Sequence, residues 1–257
     1  MTSEAPIKDV LLDLDGTVYR GSEAVPGAAQ FLRRMEANGI PVLFVTNRAN
    51  RTPEQVQAHL AELAVDCTAS QVLTSAQVAA GLLRGRSAYC IGEAALLEAL
   101  REAEVAMDDD EPEAVVVGLD RGVTYGKLEK ATRCLLAGAQ FVATNRDRLL
   151  NSDGGLSPGN GAIVAALATA TSREPIVVGK PQTPIMEAAI ERLGLDPAGV
   201  IMVGDNPETD IAAGQNAGLR SALILTGVTD RPAAEALKPA PTWIVEGFED
   251  LERLIWG

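Results

Sequence analysis

The sequence predicts an α/β protein: a mostly parallel sheet with helices on both faces, interrupted by a second, smaller α/β unit. Three observations lead there. Short apolar runs alternate with helical patterns at both ends of the chain. The stretch from 82 to 178 carries a separate set of such runs. Several runs stop abruptly at a polar residue, as parallel strands do where they leave a buried sheet. These boundaries place the main domain at residues 1–81 and 179–257 and the inserted domain at 82–178.

Val10-Leu11-Leu12 is a strand leading into Asp13. Residues 26–38 read as a helix ended by Gly39, and 40–45 as the next strand. Thr52-Pro53-Glu54-Gln55 then opens a helix: Thr52 suits the cap, Pro53 the first turn, and Gln55 a capping box. Val56, Leu60 and Leu63 recur at helical spacing and mark its buried face. In the insert, strands are expected at 88–91, 114–118 and 141–143, and helices at 94–103, 127–137 and 161–171. The acidic run Asp108-Asp109-Asp110-Glu111 reads as a solvated turn, because like charges adjacent in sequence repel and stay wet. Residues 151–160 read as a polar loop. Pro158-Gly159-Asn160-Gly161 lacks the third glycine of a dinucleotide fingerprint and reads as a helix entry. The tail repeats the rhythm with a strand at 176–178, a helix at 183–193 entered through Pro184, and a strand at 200–203. A helix at 210–217 stopped by Gly218, strands at 221–225 and 243–245, and a terminal helix complete the chain.

Apolar residues make up 47% of the chain and charged residues 22%, a composition that builds a core. The net charge of −13 repels polyphosphate backbones and anionic lipid surfaces, so neither nucleic acid nor a membrane is expected as partner. It leaves room for a small anionic substrate, since a metal ion and local cations can reverse the field within a cleft. Cys67, Cys90 and Cys134 are odd in number and lack zinc spacing, which predicts reduced thiols. Met1 to Pro6 carries no basic leader, and no run approaches the ~18 apolar residues of a membrane span. A cytoplasmic protein is expected.

Four strand ends carry the chemistry. Asp13-Leu14-Asp15-Gly16-Thr17 places two carboxylates at the end of a buried strand; they would share a face if the strand persisted. Close buried anions are costly unless a cation neutralises them, and a hard cation such as Mg²⁺ answers that cost. Gly16 permits a tight turn around an anion, although Asp-Gly is also an ordinary turn pair. Thr46-Asn47 offers a hydroxyl and an amide to phosphate oxygens, or simply a polar strand end. Lys180, in Gly179-Lys180-Pro181, could neutralise a carboxylate and a phosphate together, or face water; Pro181 rules out a P-loop. Asp205, after the strand 200–203, could ligate the same metal, with Asp210 as its support or as a residue that favours a helix start. Nucleophile, phosphate donors, cation and metal ligand are complementary, and parallel strands present their ends to one crevice. His59, beside the apolar face of its helix, reads as a packing residue.

This ordered set resembles the haloacid dehalogenase superfamily, and within it the NagD-like, class IIA phosphatases. The motifs are Asp13-Leu14-Asp15-Gly16-Thr17-Val18-Tyr19, Val45-Thr46-Asn47, Val178-Gly179-Lys180-Pro181 and Val203-Gly204-Asp205-Asn206 with Thr209-Asp210-Ile211. Ala143-Thr144-Asn145, Thr226-Gly227-Val228 and Pro241-Thr242-Trp243-Ile244 extend it nearly end to end. The resemblance implies a Rossmann-like core and an α/β C2-type cap inserted between the second and third motifs. It implies Asp13 as nucleophile, Asp15 as acid and base, and Mg²⁺ held by Asp13, Asp205 and the Asp15 carbonyl. Thr46, Asn47, Lys180, Gly16 and Asn206 would bind phosphate, and Asp210 would support them. Of the two echoing segments, Phe44 to Arg48 and Val142 to Arg146, the resemblance gives phosphate to Thr46-Asn47 and the cap to Thr144-Asn145.

The resemblance further implies a small phosphate monoester as substrate, read by the cap loop 147–160 with Asp147 and Leu150, and a homodimer formed through the cap. Leu150 stands where pyridoxal-phosphate-selective members carry histidine, which argues against vitamin B6 phosphate. Arg48 replaces an asparagine common in this branch and either contacts an anionic substrate or faces water. Nucleoside monophosphate, glycerol phosphate, phosphoglycolate and sugar phosphate all stay open, with p-nitrophenyl phosphate as an artificial substrate. A dehalogenase would not need Asp15, a non-catalytic phosphate sensor would not need Asp13 and Asp15, and a phosphotransferase would share both.

Overall fold

The computed structural model describes residues 6–152, 155–194 and 196–256. The expected leaderless start at residues 1–5 and the middle of the polar loop, 153–154, lie outside the described residues. The chain forms two compact units: Met1–Thr46, Pro53–Leu73 and Lys180–Gly257 in the first, Asn47–Thr52 and Thr74–Gly179 in the second.

The first unit is built on a six-stranded sheet in the order Trp243–Val245, Arg220–Ile224, Val200–Gly204, Asp9–Leu12, Val42–Thr46, Val72–Thr74. The pairings from Trp243–Val245 across to Val42–Thr46 are parallel. Val10, Leu11, Leu12 and Val200 to Val203 are wholly buried, as strands covered on both faces must be. Leu12 pairs with Val203 on one side and Phe44 on the other, and the Asp13 N–H continues the ladder to the Val203 carbonyl at 2.9 Å. The register thus brings Asp13, Thr46 and Asp205 to one end of the sheet. Helices Ala28–Ala37, Pro53–Glu62 and Phe248–Trp256 contribute Phe31, Met35, Val56, Leu60 and Phe248 to the core beside Phe44. The Phe31 and Phe248 rings meet at 5.0 Å. Each such side chain, fully buried, contributes about 1.5–3 kcal/mol, which holds the strand ends in place.

The second unit holds a five-stranded parallel sheet in the order Ile176–Val177, Gln140–Ala143, Ala114–Val117, Ser87–Ile91, Ala106–Met107. Alternation along its strands separates two apolar layers. Val116 and Val142 face Ala76, Ala79, Leu96 and Leu100 of helices Ser75–Leu82 and Ala94–Glu102. Val115, Val117 and Phe141 face Leu135, Val164 and Leu167 of helices Tyr125–Leu136 and Asn160–Thr171. Thr74 opens helix Ser75–Leu82 with a capping box: its hydroxyl accepts the Gln77 N–H, and the Gln77 amide oxygen accepts the Thr74 N–H.

Four sequence expectations change. The strand before Lys180 is Ile176–Val177, and it pairs with Gln140–Ala143 in the second sheet, so Lys180 does not leave a strand of the first sheet. The polar loop is an antiparallel hairpin, Leu149–Ser152 with Gly155–Pro158. The strand before Asp13 ends at Leu12, so Asp13 and Asp15 do not share a strand face. Helical structure begins at Pro207, upstream of Asp210, because Asn206 caps it by accepting the Glu208 N–H at 2.9 Å. The acidic run does form a turn, with Asp108 Oδ1 accepting the Asp110 and Glu111 N–H groups.

Among the described residues no helix is long and apolar enough to cross a membrane. The three cysteines are free. Burial, reinforced by Asp66, pushes the Cys67 thiol up to about 11, and burial with Asp120 pushes Cys90 up to about 12. At pH 8 about a thousandth of Cys67 is thiolate, and less of Cys90. Iodoacetamide is therefore expected to label both slowly in the folded protein and fast in guanidinium, as followed by intact mass. Rapid labelling of Cys90 in the folded state would contradict this.

Candidate active site

The strand ends set Asp13, Thr46 and Asp205 side by side, and Lys180 enters among them. Asp13, Lys180, Asp205 and Asp210 are all buried, the last three to within 2% exposure. Lys180 Nζ lies 2.5 Å from Asp13 Oδ1 and 2.7 Å from Asp210 Oδ1, and donates to the Val45 carbonyl at 2.9 Å. Those three acceptors match the three N–H bonds of an ammonium. One oxygen from each of Asp13, Asp205 and Asp210 lies within 4.8 Å of the others.

Three buried carboxylates thus face one ammonium. Burial, followed by repulsion from Asp210, raises Asp13 well above the usual carboxylate range against the pull of Lys180. Burial and Asp210 push Asp205 up to about 6. Burial would lower Lys180, but Asp13 and Asp210 together outweigh it and hold the ammonium above its ordinary value. An excess of oxygen-borne negative charge, desolvated and mutually repelling, is the donor set a hard divalent cation requires. Asp210 commits Oδ1 to Lys180 and Oδ2 to the Asn206 N–H at 3.1 Å. Asp13 meets Lys180 through Oδ1, and Asp205 accepts the Val228 N–H at Oδ2; each could offer an oxygen to a cation.

The segment 226–229 clamps this cluster. The Thr226 hydroxyl donates to the Gly16 carbonyl, the Val228 N–H to Asp205 Oδ2 and the Thr229 hydroxyl to the Asp205 carbonyl, each at 2.8 Å. Thr226 and Thr229 are not among the sequence-predicted site residues. Gly16 has φ +86°, and its N–H, expected at phosphate, donates to the Tyr19 carbonyl at 2.8 Å. A Cβ on Gly16 would fall 2.4 Å from Asp205 Oδ2, and one on Gly227 only 1.8 Å away. Gly227→Ala is therefore expected to displace Asp205, destabilise the fold by about 1–3 kcal/mol and weaken Mg²⁺ activation. Thermal unfolding and a Mg²⁺ titration of activity check it; wild-type values in both would refute it.

Asp15 is half-buried beside Tyr19, whose hydroxyl donates to Asp15 Oδ2 at 3.4 Å. The Tyr19 ring meets His59 edge-on at 4.9 Å, so the lone histidine packs.

Asn47, Arg48, Asp147 and Leu150 fall in the second unit. The Asn47 amide nitrogen donates to both Asp147 carboxylate oxygens at 3.3 Å, and the Asn47 carbonyl accepts from Ser75 Oγ at 2.7 Å and Asn145 Nδ2 at 2.8 Å. Arg48 is half-buried in the connecting stretch Asn47–Thr52. Leu150 lies on the hairpin, opposite Ser157.

A haloacid dehalogenase-like hydrolase model matches residues 10–106, and a HAD-hydrolase-like model matches 177–251. An acid sugar phosphatase of Staphylococcus aureus is 41% identical over 96% of this chain and 96% of its own. NagD from Escherichia coli superposes with a TM-score of 0.91 at 34% identity, covering 95% of this chain and 98% of that one. The chain belongs to the haloacid dehalogenase-like hydrolases, in their NagD-like, class IIA branch. A glycerol phosphate phosphatase from Mycobacterium tuberculosis, solved in complex with magnesium, matches this NagD-like hydrolase with a TM-score of 0.89 at 38% identity, over 95% of this chain and 77% of the other. The branch makes the protein a phosphoric monoester hydrolase. Asp13 and Thr46 fall within the first matched span, and Lys180, Asp205 and Asp210 within the second.

Proposed function

We propose that this hydrolase is a Mg²⁺-dependent phosphatase that cleaves small phosphate monoesters through an aspartyl-phosphate on Asp13. The observation that carries the proposal is the Lys180 ammonium held between Asp13 and Asp210 within a buried three-carboxylate cluster. Asp13, Asp205 and the Asp15 backbone carbonyl would hold the cation, with Asp210 and residues 226–229 fixing Asp205 and Lys180. Mg²⁺, when bound, supplies the positive charge that offsets the carboxylates and the phosphate.

A carboxylate oxygen of Asp13 forms the bond to phosphorus as the ester P–O bond breaks, and Asp15 gives its proton to the leaving oxygen. Asp15 then takes a proton from water as that water attacks the aspartyl-phosphate, and inorganic phosphate leaves with Asp13 restored. Lys180 keeps Asp13 anionic and lowers its repulsion of the incoming phosphate. The Thr46 hydroxyl and the Asn47 amide donate to phosphate oxygens. The second unit acts as the cap that selects the leaving group, with Asp147, Leu150 and Arg48 as its readers. The three free thiols, Cys134 buried and Cys67 and Cys90 half-buried, fit a reducing, cytoplasmic setting.

The names of two relatives, an acid sugar phosphatase and a glycerol phosphate phosphatase, support the reading of a small phosphate ester as substrate. With p-nitrophenyl phosphate, nitrophenol release is expected to stop on chelation and return with Mg²⁺. Nitrophenol and inorganic phosphate should appear in equal amounts when an alcohol is added; a phosphate deficit would point to transfer. Chelator-insensitive release would sink the metal assignment. A panel of nucleoside monophosphate, glycerol phosphate, phosphoglycolate and sugar phosphate then ranks substrates by kcat/KM.

A further inference from the structure

The second Thr-Asn pair of the sequence, Thr144-Asn145, does more than echo the first. Asn145 is 6% exposed and Ser75 wholly buried, and both spend a side-chain donor on one backbone carbonyl, that of Asn47. Two side-chain donors on one carbonyl fix the peptide plane that follows Asn47. Asn145 also fixes what faces the Asn47 side chain. Its Oδ1 accepts the Asp147 N–H at 3.1 Å, and the Asp147 carboxylate accepts from the Asn47 amide nitrogen. One side chain therefore holds the Asn47 backbone through its nitrogen and the residue orienting the Asn47 amide through its oxygen.

Asn145 is itself anchored. Its carbonyl accepts from Asn160 Nδ2 at 2.8 Å, and that nitrogen also donates to the Thr144 hydroxyl and the Val117 carbonyl. Asn160 is 2% exposed, so the anchor is shielded from competing water. The same layer meets the chain where it leaves the second unit. A Cβ on Gly179 would fall 2.4 Å from the Thr144 carbonyl oxygen and 2.6 Å from Asn47 Oδ1. Thr144 and Asn47 thus pack against the residue that immediately precedes Lys180.

We propose that Asn145, assisted by Ser75, is a positioning residue for phosphate binding: it sets the direction in which Asn47 presents its amide to the substrate phosphate. The proposal rests on the reading of Asn47 as a phosphate donor given above. It assigns a task to the second Thr-Asn pair, without placing that pair on the substrate.

Asn145→Asp is the discriminating variant. It keeps an oxygen for the Asp147 N–H but turns the donor to the Asn47 carbonyl into an acceptor. The inhibition constant of inorganic phosphate, measured with Mg²⁺ against p-nitrophenyl phosphate, is expected to rise about five- to ten-fold, the loss of one hydrogen bond. The Mg²⁺ concentration for half-activation should stay within two-fold of wild type, as estimated on the same ~1 kcal/mol scale; a merely structural defect would not separate the two. Ser75→Ala should shift phosphate inhibition in the same direction and serves as the test if Asn145→Asp fails to fold. Phosphate inhibition unchanged in both variants would overturn the proposal. Asn47→Ala separates the two levels. If it raises the constant while Asn145→Asp and Ser75→Ala do not, only the positioning role falls. If Asn47→Ala leaves the constant unchanged, the reading of Asn47 as a donor falls, and the proposal with it.

Discussion

Lys180→Met is expected to remove turnover and to destabilise the metal-free protein by about 3–5 kcal/mol, the cost of breaking a buried ion pair from one side. The ammonium is 2% exposed and touches Asp13, Asp210 and the Val45 carbonyl. Methionine fills a similar volume and supplies no charge, so it leaves Asp13 and Asp210 buried and facing each other. Their mutual repulsion already raises Asp13 with the lysine present. Mg²⁺ should recover part of the lost stability in the variant, because a cation shared by Asp13 and Asp205 offsets some of the same charge, and it should do so without restoring turnover. Asp210→Asn in the same chain should recover stability as well, since it removes one of the two stranded carboxylates. Urea unfolding of the single and double variants, with Mg²⁺ and with chelator, gives the comparison. A Lys180→Met protein as stable as wild type in chelator would show that the lysine does not compensate the cluster.

Lys180 also marks how far the sequence could be read. Its pairing with a carboxylate was legible, because a lysine after an apolar run stands out beside two strand ends that carry aspartate. Its route was not. Ile176–Val177 is a two-residue strand, and its choice between the two sheets depends on Val142 and Ala143, more than thirty residues upstream. The placement of Asp13, Thr46 and Asp205 was legible, because parallel strands with register Leu12 to Val203 and Leu12 to Phe44 must end together. Thr226 and Thr229 were hidden, since a threonine in a loop is common and these act on Gly16 and Asp205 across the fold. The hairpin of Leu149–Ser152 with Gly155–Pro158 was hidden by polar neighbours. Ser75 escaped notice, and Asn145 was read only as part of the cap, for a third reason: both serve a backbone carbonyl, and a carbonyl's need for donors leaves no trace in residue type.

Asp13→Asn is expected to have the opposite profile to Lys180→Met: turnover falls by about 10⁴- to 10⁶-fold, the scale for removing a covalent nucleophile, while the fold survives. The amide keeps the shape of the side chain and an oxygen for the Lys180 ammonium. It deletes one charge from a cluster with too many carboxylates, and Asp210 remains at 2.7 Å to pair with the lysine. Burial and the repulsion from Asp210 and Asp205 that now raise Asp13 are relieved at once. The metal-free variant should therefore be as stable as wild type or more so, and it should gain less from Mg²⁺ because one cation ligand is weaker. Rapid-quench labelling with a phosphate ester should show an acyl-phosphate in wild type and none in Asp13→Asn. Residual turnover near wild type, or a label that persists in the variant, would move the nucleophile elsewhere. Loss of stability together with turnover would instead mean that Lys180 needs the Asp13 charge more than the cluster needs relief from it. The two substitutions thus separate the charge balance of the site from its chemistry, which share the same four buried side chains.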